Sequence, residues 1–118
     1  PFPTSEGKQV RDFCHVDDAV NAIMLAMLSD ESNGKIFNIG SGIPVTIRSV
    51  VKKITKIINK GKPQYGVVPF RPGENMNLYA NINYIKKVLN WEPFVNFDDG
   101  IREVINWYVE KNEETTTS

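Results

Sequence analysis

The spacing of apolar residues along this chain of 118 residues predicts four amphipathic helices. Apolar side chains that recur at intervals of three and four positions lie on one face of an α-helix, which turns once every 3.6 residues. Such patterns occupy residues 16–28, 47–58, 82–89 and 97–108. In the first of them the apolar face consists of Val16, Val20, Ile23, Met24, Met27 and Leu28. We expect such faces to cover a larger hydrophobic surface.

Polar residues at the ends of these patterns predict where the helices begin and end. Thr46 is placed to cap the second helix, because a short polar side chain accepts a free backbone N–H at that position. Asn96 and Asp99 have the spacing of a capping box at the start of the fourth helix. Asn90 suits the left-handed residue that ends the third helix, with Trp91 packing back on the last turn.

Short apolar runs between the helices predict three strands. Residues 8–13 form an extended segment before the first helix, and residues 35–39 (KIFNI) resemble a short buried strand. Residues 64–70 adjoin Pro63 and contain Pro69, which indicates an edge strand because proline cannot donate to a ladder. The order is strand, helix, strand, helix, strand, helix, helix, an α/β arrangement. The polar residues 112–118 are predicted to form a disordered tail.

The composition restricts the classes of function. The chain has 14 basic and 14 acidic side chains and a formal net charge of zero. Proteins that bind nucleic acid or membrane surfaces usually carry a basic excess, so we expect neither partner. The longest apolar run, residues 22–28, is too short to cross a bilayer. Since the sequence also shows no signal-peptide pattern, the cytoplasm is the expected location.

Few residues in the sequence are suited to metal binding or nucleophilic catalysis. Cys14 and His15 are the single cysteine and the single histidine, which excludes an intrachain disulfide and a His-rich metal site. As neighbours on an extended segment they point to opposite faces, which argues against a nucleophile–base pair. Asp17 and Asp18 are adjacent on a helix and do not face each other. We expect these two residues to cap the first turn instead.

The sequence NIGSG at residues 38–42 is a glycine-rich turn between a predicted strand and a predicted helix. Turns of this kind let backbone amides approach the pyrophosphate of a dinucleotide. The dinucleotide fingerprint needs a third glycine three residues after the second, but Val45 occupies that position and Pro44 lacks a donor. We therefore interpret the turn as structural.

Two arginines in separate segments are candidates for an anion site. Arg11 lies in KQVRDF, and Arg71 opens the turn RPGEN. A guanidinium can donate two parallel hydrogen bonds to phosphate and stays charged, so two of them suit a diphosphate. The alternative is that each arginine pairs at the surface with a nearby carboxylate, Asp12 or Glu74. The spacing alone favours this alternative.

Five short motifs follow one another along nearly the whole chain. They are GKQVRDFCHVDDAV at residues 7–20, FNIGSG at 37–42, RPGE at 71–74, LNWEP at 89–93, and DGI at 99–101 followed by Trp107 and Tyr108. Together they resemble the motifs of the NAD-dependent nucleotide-sugar epimerases and dehydratases, which are extended short-chain dehydrogenase/reductases. Each motif alone is common, but five of them in the family's order carry the resemblance.

The resemblance implies a fold and a substrate class. It implies that residues 1–111 are the C-terminal, nucleotide-sugar-binding domain of such an enzyme, without its N-terminal Rossmann domain. The implied fold is α/β, with short strands and about four helices. The resemblance also implies that Arg11 and Arg71 contact the diphosphate of a nucleoside diphosphate sugar, and that Glu74 approaches the ribose hydroxyls.

The sequence contains none of the groups that carry the family's chemistry. These enzymes use a Tyr-x-x-x-Lys pair and a glycine-rich loop for NAD or NADP. The residues four positions after Tyr65, Tyr79, Tyr84 and Tyr108 are Pro69, Asn83, Val88 and Asn112. The resemblance therefore implies NAD or NADP for a longer parent enzyme, and no catalytic, cofactor-binding or metal-binding residue here. The alternative is a standalone, non-catalytic binding module that self-associates through apolar helix faces.

Overall fold

The computed structural model describes the backbone of residues 1–117 and the side chains of residues 1–112. This part of the chain contains the four helices α1 (Val16–Leu28), α2 (Ile47–Ile58), α3 (Asn83–Leu89) and α4 (Phe97–Thr117). Its strands are β1 (Phe2–Pro3), β2 (Val10–Arg11), β3 (Val45–Thr46) and β4 (Pro63–Gln64), each of two residues. A 3-10 turn, Asp30–Ser32, follows α1. The predicted α/β class with short strands and four helices is confirmed.

The strands form two small sheets. β1 pairs with β4 in parallel, and β2 pairs with β3 in antiparallel. Val10 in β2 also bonds to a third segment: its N–H donates to the Met76 carbonyl at 2.7 Å, and its carbonyl accepts from the Leu78 N–H at 3.0 Å. β2 therefore lies between β3 and residues 76–78, which brings Arg11 close to the segment that follows the RPGEN turn.

Two of the predicted strands differ from the structure. Residues 35–39 pair with no other described segment, and the Ile36 side chain is 90% exposed. A strand needs a neighbour to complete its hydrogen-bonded ladder, and the described chain supplies none here. Of residues 64–70, only Gln64 is in a strand; residues 65–66 form a turn in which Gly66 has a φ of 83°. The prediction was wrong here because that left-handed conformation ends the extended run.

The core forms where the face of α1 that carries Ala22 packs against α3. The buried cluster consists of Ala22, Ile82, Ile85 and Trp91. Because Ala22 is small, Ile85 and Trp91 can pack closely against α1, and Trp91 packs back as predicted. The larger apolar face expected from the sequence is on the other side of α1, where Met27 is 75% and Leu28 is 79% exposed.

Three of the predicted helix ends are confirmed. Thr46 Oγ1 accepts the Ser49 N–H at 3.2 Å and so caps α2. Asn96 Oδ1 accepts the Asp99 N–H at 2.8 Å, and Asn96 Nδ2 donates back to Asp99 Oδ2 at 2.9 Å. Asn90 ends α3 in the left-handed conformation with a φ of 54°. These local bonds satisfy backbone groups that the helices leave unpaired.

The last helix is longer than the sequence pattern predicts. α4 continues to Thr117, so the predicted tail at residues 112–118 is helical as far as Thr117. No glycine or proline follows Gly100 in the sequence, and these are the residues that most strongly stop a helix. The prediction for Ser118 lies outside the described residues. Among residues 1–117, no helix has both the length and the apolar character needed to cross a membrane.

Candidate functional site

Arg11 and Glu74 meet where β2 passes the RPGEN turn. Arg11 Nη2 lies 3.3 Å from Glu74 Oε1, and both side chains are mostly buried. The other carboxylate oxygen, Oε2, accepts the backbone N–H of Arg71 at 3.3 Å. Gln9 Nε2 also donates to Oε1, at 3.4 Å. One carboxylate therefore joins the segment that carries Arg11 to the turn that carries Arg71.

Arg71 opens this turn with its side chain exposed. The turn closes through a hydrogen bond from the Glu74 N–H to the Arg71 carbonyl at 3.1 Å, and Gly73 has a φ of 72°. Among the residues whose side chains are described, none forms an ion pair with Arg71. The arginine–carboxylate pairing considered from the sequence thus occurs between Arg11 and Glu74, whereas Arg71 is exposed.

An open groove of about 580 Å³ begins at Arg11. Its walls are Arg11 and Asp12 from the end of β2, residues 37–39, and residues 78–81. Tyr79 is 54% exposed and gives this groove an aromatic surface beside the charged one. From the sequence, Asn38 belonged only to a structural turn and Tyr79 had no assigned role, because the groove exists only when three separate segments meet.

Asp12 is held by the glycine-rich turn and by Ala80. The N–H and the hydroxyl of Ser41 both donate to Asp12 Oδ1 at 2.7 Å. The N–H groups of Gly42 and Ala80 donate to Asp12 Oδ2 at 2.9 and 3.1 Å. Burial opposes ionisation of Asp12, but these hydrogen bonds outweigh it and lower the pKa of the carboxyl. The turn at residues 38–42 therefore binds an anion that belongs to this chain.

The two glycines of this turn are required by its geometry. A Cβ atom on Gly40 would lie 2.7 Å from Ala80 Cβ and 2.7 Å from Asp12 Oδ2, closer than real side chains approach. Gly42 has a φ of 74°, which L-residues with side chains rarely adopt. Both glycines are therefore explained by the conformation of the turn, without a bound cofactor.

Asp18 has a different role from the one that the sequence predicts. Its carboxylate is fully buried and accepts the N–H groups of Phe94 and Val95, each at 3.1 Å. The Asp18 carbonyl also accepts the indole N–H of Trp91 at 3.2 Å. The prediction that Asp18 caps α1 was wrong, because its side chain turns inward to residues 94–95, which come much later in the chain.

His15 takes the capping role at α1. Its Nδ1 accepts the Asp17 N–H at 3.0 Å, and its Nε2 lies 3.0 Å from Glu103 Oε2 on α4. His15, Asp17 and Glu103 are the types of residue that bind metals, and their ligand atoms lie within 4.8 Å of one another. Both ring nitrogens already have protein partners, so the cluster is explained as a helix cap and a link between α1 and α4.

Cys14 is not placed to act as a nucleophile. Burial raises the pKa of its thiol, and the negative charges of Asp18 and Asp12 raise it further. The thiol lies 3.6 Å from the His15 carbonyl, to which it can donate. A reactive cysteine needs a stabilised thiolate, and these surroundings favour the protonated form.

Sequence comparison finds one family and several curated relatives. The family model described as GDP-mannose 4,6 dehydratase matches residues 2–104. A dTDP-glucose 4,6-dehydratase of Streptomyces niveus is 32% identical over 103 residues, which are 87% of this chain and 30% of that protein. The chain spans about a third of the length of the curated relatives that it matches.

Structure comparison finds the same group of enzymes. A dTDP-glucose 4,6-dehydratase of Bacillus anthracis in complex with NAD has a TM-score of 0.81 and 33% identity, covering 95% of this chain and 35% of that chain. A UDP-glucose 4-epimerase of Thermotoga maritima with UDP-glucose has a TM-score of 0.81 and 30% identity. That match covers 89% of this chain and 33% of the epimerase chain.

Proposed function

This chain belongs to the GDP-mannose 4,6 dehydratase family, among the NAD-dependent epimerases and dehydratases of the extended short-chain dehydrogenase/reductase group, and we propose that it is the C-terminal, substrate-binding part of such an enzyme. In this proposal residues 1–111 bind a nucleoside diphosphate sugar. The rest of a longer enzyme supplies the tyrosine–lysine pair and binds NAD or NADP. The NAD in the Bacillus anthracis structure and the UDP-glucose in the Thermotoga maritima structure support both parts of the proposal.

The observation that carries the proposal is the shared carboxylate of Glu74. It contacts the Arg11 guanidinium and the Arg71 backbone N–H, so the two segments that carry these arginines are joined at one place, next to the groove that begins at Arg11. The Arg11–Glu74 contact of 3.3 Å is long for a charge-assisted hydrogen bond. A diphosphate, which offers more negative charge and better-aligned oxygens, would replace Glu74 as the partner of Arg11.

Glu74 has a second role in the proposal. When the guanidinium of Arg11 turns to the diphosphate, Glu74 Oε1 loses one donor and can accept hydrogen bonds from the ribose hydroxyls. Gln9 Nε2, which is 3.4 Å from the same oxygen, would keep the carboxylate in place. In this proposal Glu74 holds the Arg11 side chain in position before the nucleotide sugar binds, and it binds the ribose of the nucleotide afterwards.

The proposal can be tested by replacing Arg71 in the complete enzyme. Each charge-assisted hydrogen bond contributes about 1.5–3 kcal/mol, so Arg71→Ala should raise the Michaelis constant for the nucleotide sugar by about tenfold or more. Ile43→Ala is the matched control, because Ile43 is exposed as Arg71 is, but its side chain carries no charge and cannot pair with a phosphate. Equal effects of the two substitutions would contradict the diphosphate site.

The proposal places the enzyme in the cytoplasm and makes this chain catalytically incomplete by itself. A single unpaired thiol such as Cys14 fits a reducing compartment. The chain expressed alone should bind nucleoside diphosphates and should leave a nucleotide sugar unchanged when NAD or NADP is added.

A standalone module that self-associates is the second candidate, and the exposed apolar surface supports it. Met27 and Leu28 on α1 are 75% and 79% exposed, and Trp107 and Tyr108 on α4 are 53% and 60% exposed. Titration of the chain with UDP, CDP and dTDP, followed by amide NMR shifts, separates the two candidates. Shifts confined to Arg11, Arg71, Glu74 and the groove support the substrate site. Stable dimers without nucleotide-induced shifts support the module.

A further inference from the structure

The arrangement around Asp12 carries an inference that rests on the proposed function. We propose that Asp12 is the positioning residue of the substrate groove: its carboxylate fixes the three segments that form the groove walls and so holds Arg11 in place to bind the diphosphate. Asp12 itself does not contact the substrate in this proposal. It acts through Arg11.

The first support is that the partners of Asp12 and the walls of the groove come from the same segments. The groove is lined by the end of β2, by residues 37–39 and by residues 78–81. Asp12 ends the first segment, and its carboxylate accepts hydrogen bonds from residues 41–42, just after the second, and from Ala80 in the third. If this carboxylate were removed, all three walls would lose their common anchor.

The second support is the direction of two neighbouring side chains. Arg11 reaches Glu74, whereas Asp12 reaches Ser41 and Ala80, so the two side chains leave the backbone toward different partners. Successive side chains of an extended segment point to opposite sides, so anchoring one of them orients the other. The anchored Asp12 therefore sets the direction from which the guanidinium of Arg11 approaches a ligand.

The third support is that Asp12 does not neutralise its neighbour. Its two oxygens accept hydrogen bonds from three backbone N–H groups and one hydroxyl. These donors stabilise the negative charge on the Asp12 carboxylate. Arg11 consequently pairs with Glu74, which a diphosphate can replace, and not with Asp12, which is fully occupied. The chain can keep Asp12 ionised and still offer the positive charge of Arg11 to a substrate.

Asp18 provides a matched control for this role. It is also a carboxylate that accepts backbone N–H groups from a distant segment, but its partners are Phe94 and Val95, and it does not line the groove. Replacement of either aspartate by asparagine should disturb folding. If Asp12 has a merely structural role, the two variants will differ in nucleotide binding only through the fraction of folded protein.

The experiment measures the affinity of the 118-residue chain for UDP by NMR titration in wild type, Asp12→Asn, Asp18→Asn, Arg11→Ala and the double variant Asp12→Asn/Arg11→Ala. The indole N–H signal of Trp91, which donates to the Asp18 carbonyl, reports the folded fraction of each variant. We expect Asp12→Asn to weaken UDP binding per folded molecule by about tenfold, the loss expected when one charge-assisted hydrogen bond between Arg11 and the phosphate is no longer formed. Asp18→Asn should bind UDP as the wild type does.

The double variant tests whether Asp12 acts through Arg11. If it does, Asp12→Asn adds no loss of affinity once Arg11 is alanine, whereas independent effects multiply. Wild-type affinity in folded Asp12→Asn, or multiplied losses in the double variant, would overturn the positioning role and leave the proposed function intact. Failure of the wild type to bind UDP, CDP or dTDP would overturn the proposed function, and the inference with it.

Ser41→Ala keeps the test decisive if Asp12→Asn does not fold. This variant removes the hydroxyl that donates to Asp12 Oδ1 at 2.7 Å but keeps the backbone N–H bond to the same oxygen. Ser41 donates its hydroxyl to Asp12 and does not line the groove at Arg11, so we expect its effect on UDP binding to act through Asp12. We expect folded Ser41→Ala to bind UDP roughly threefold more weakly, because only one of the four hydrogen bonds to Asp12 is lost. Unchanged affinity would overturn the positioning role.

Discussion

Asp12 and Asp18 bind backbone amides in similar ways, yet they hold together different parts of the molecule. Asp18 is fully buried and fixes residues 94–95 beside the core, where Trp91 donates to its carbonyl. Asp12 is only partly buried and fixes residues 41–42 and Ala80 beside the open groove. The same interaction therefore stabilises a core in one place and shapes a surface in the other. The number of hydrogen bonds does not tell whether a carboxylate stabilises a core or shapes a surface. The burial of the surrounding residues does.

The largest effect is expected at Asp18. Asp18→Ala removes the fully buried carboxylate that accepts the partly buried N–H groups of Phe94 and Val95, at about 1.5–3 kcal/mol for each hydrogen bond to a charged group. We expect the free energy of unfolding to fall by about 3 kcal/mol, as measured by urea denaturation followed through tryptophan fluorescence, to which both Trp91 and Trp107 contribute. Asp17→Ala is the control, because the Asp17 side chain is 68% exposed; it should change stability by less than about 0.5 kcal/mol. Similar losses in both variants would show that the Asp18 bonds contribute little.

An intermediate effect, and one that depends on pH, is expected at Asp12. An aspartate ionises at about pH 3.9 in an unfolded chain, and the hydrogen bonds to Asp12 lower its pKa in the folded chain despite burial. The ionised carboxylate therefore stabilises the fold fully above about pH 4, and this contribution is lost as the pH falls through the lower folded value.

Asp12→Asn should accordingly cost about 1–2 kcal/mol at neutral pH. It should also make the free energy of unfolding less dependent on pH in the acid range than it is in the wild type. Urea denaturation at several pH values between about 2 and 7 measures both quantities. Parallel pH profiles for the two proteins would contradict the assignment of a low pKa to Asp12.

The smallest effect is expected at Gly100 in the first turn of α4, and it has the opposite sign. A Cβ atom there would lie 3.4 Å from His15 Cδ2 and 3.7 Å from Val95 Cγ1, so a methyl group fits. Because glycine is unfavourable inside helices, Gly100→Ala should raise the free energy of unfolding by about 0.5–1 kcal/mol. Gly40→Ala is the contrasting variant and should destabilise the chain, since its methyl group would collide with Ala80.

Helices could be predicted from the sequence because their determinants are local. The 3.6-residue period and the caps at Thr46, Asn90 and Asn96 depend on residues within a few positions of one another, and the structure has each of them. Strands could not be predicted as well, because a strand depends on a partner. Residues 35–39 have the composition of a strand but find no partner within the described chain.

The candidate site shows the same limit. The sequence identified Arg11, Arg71 and Glu74 through motifs, and the structure places Glu74 in contact with the other two. The sequence did not reveal that Tyr79 lines a groove or which residues bind Asp12. Asp12 and Ser41 are 29 residues apart, and nothing local in either segment indicates that they meet.

The glycine-rich turn at residues 38–42 already contains its anion, and this has a consequence for dissolved ions. A sulfate or phosphate ion that approached the Ser41 and Gly42 amides would have to displace a carboxylate that is tethered to the same chain and already hydrogen-bonded to them. Crystals soaked in either salt should therefore show no ion at this turn. A glycine pattern that suggests a nucleotide-binding loop can thus be an anion site that a carboxylate of the same chain already occupies.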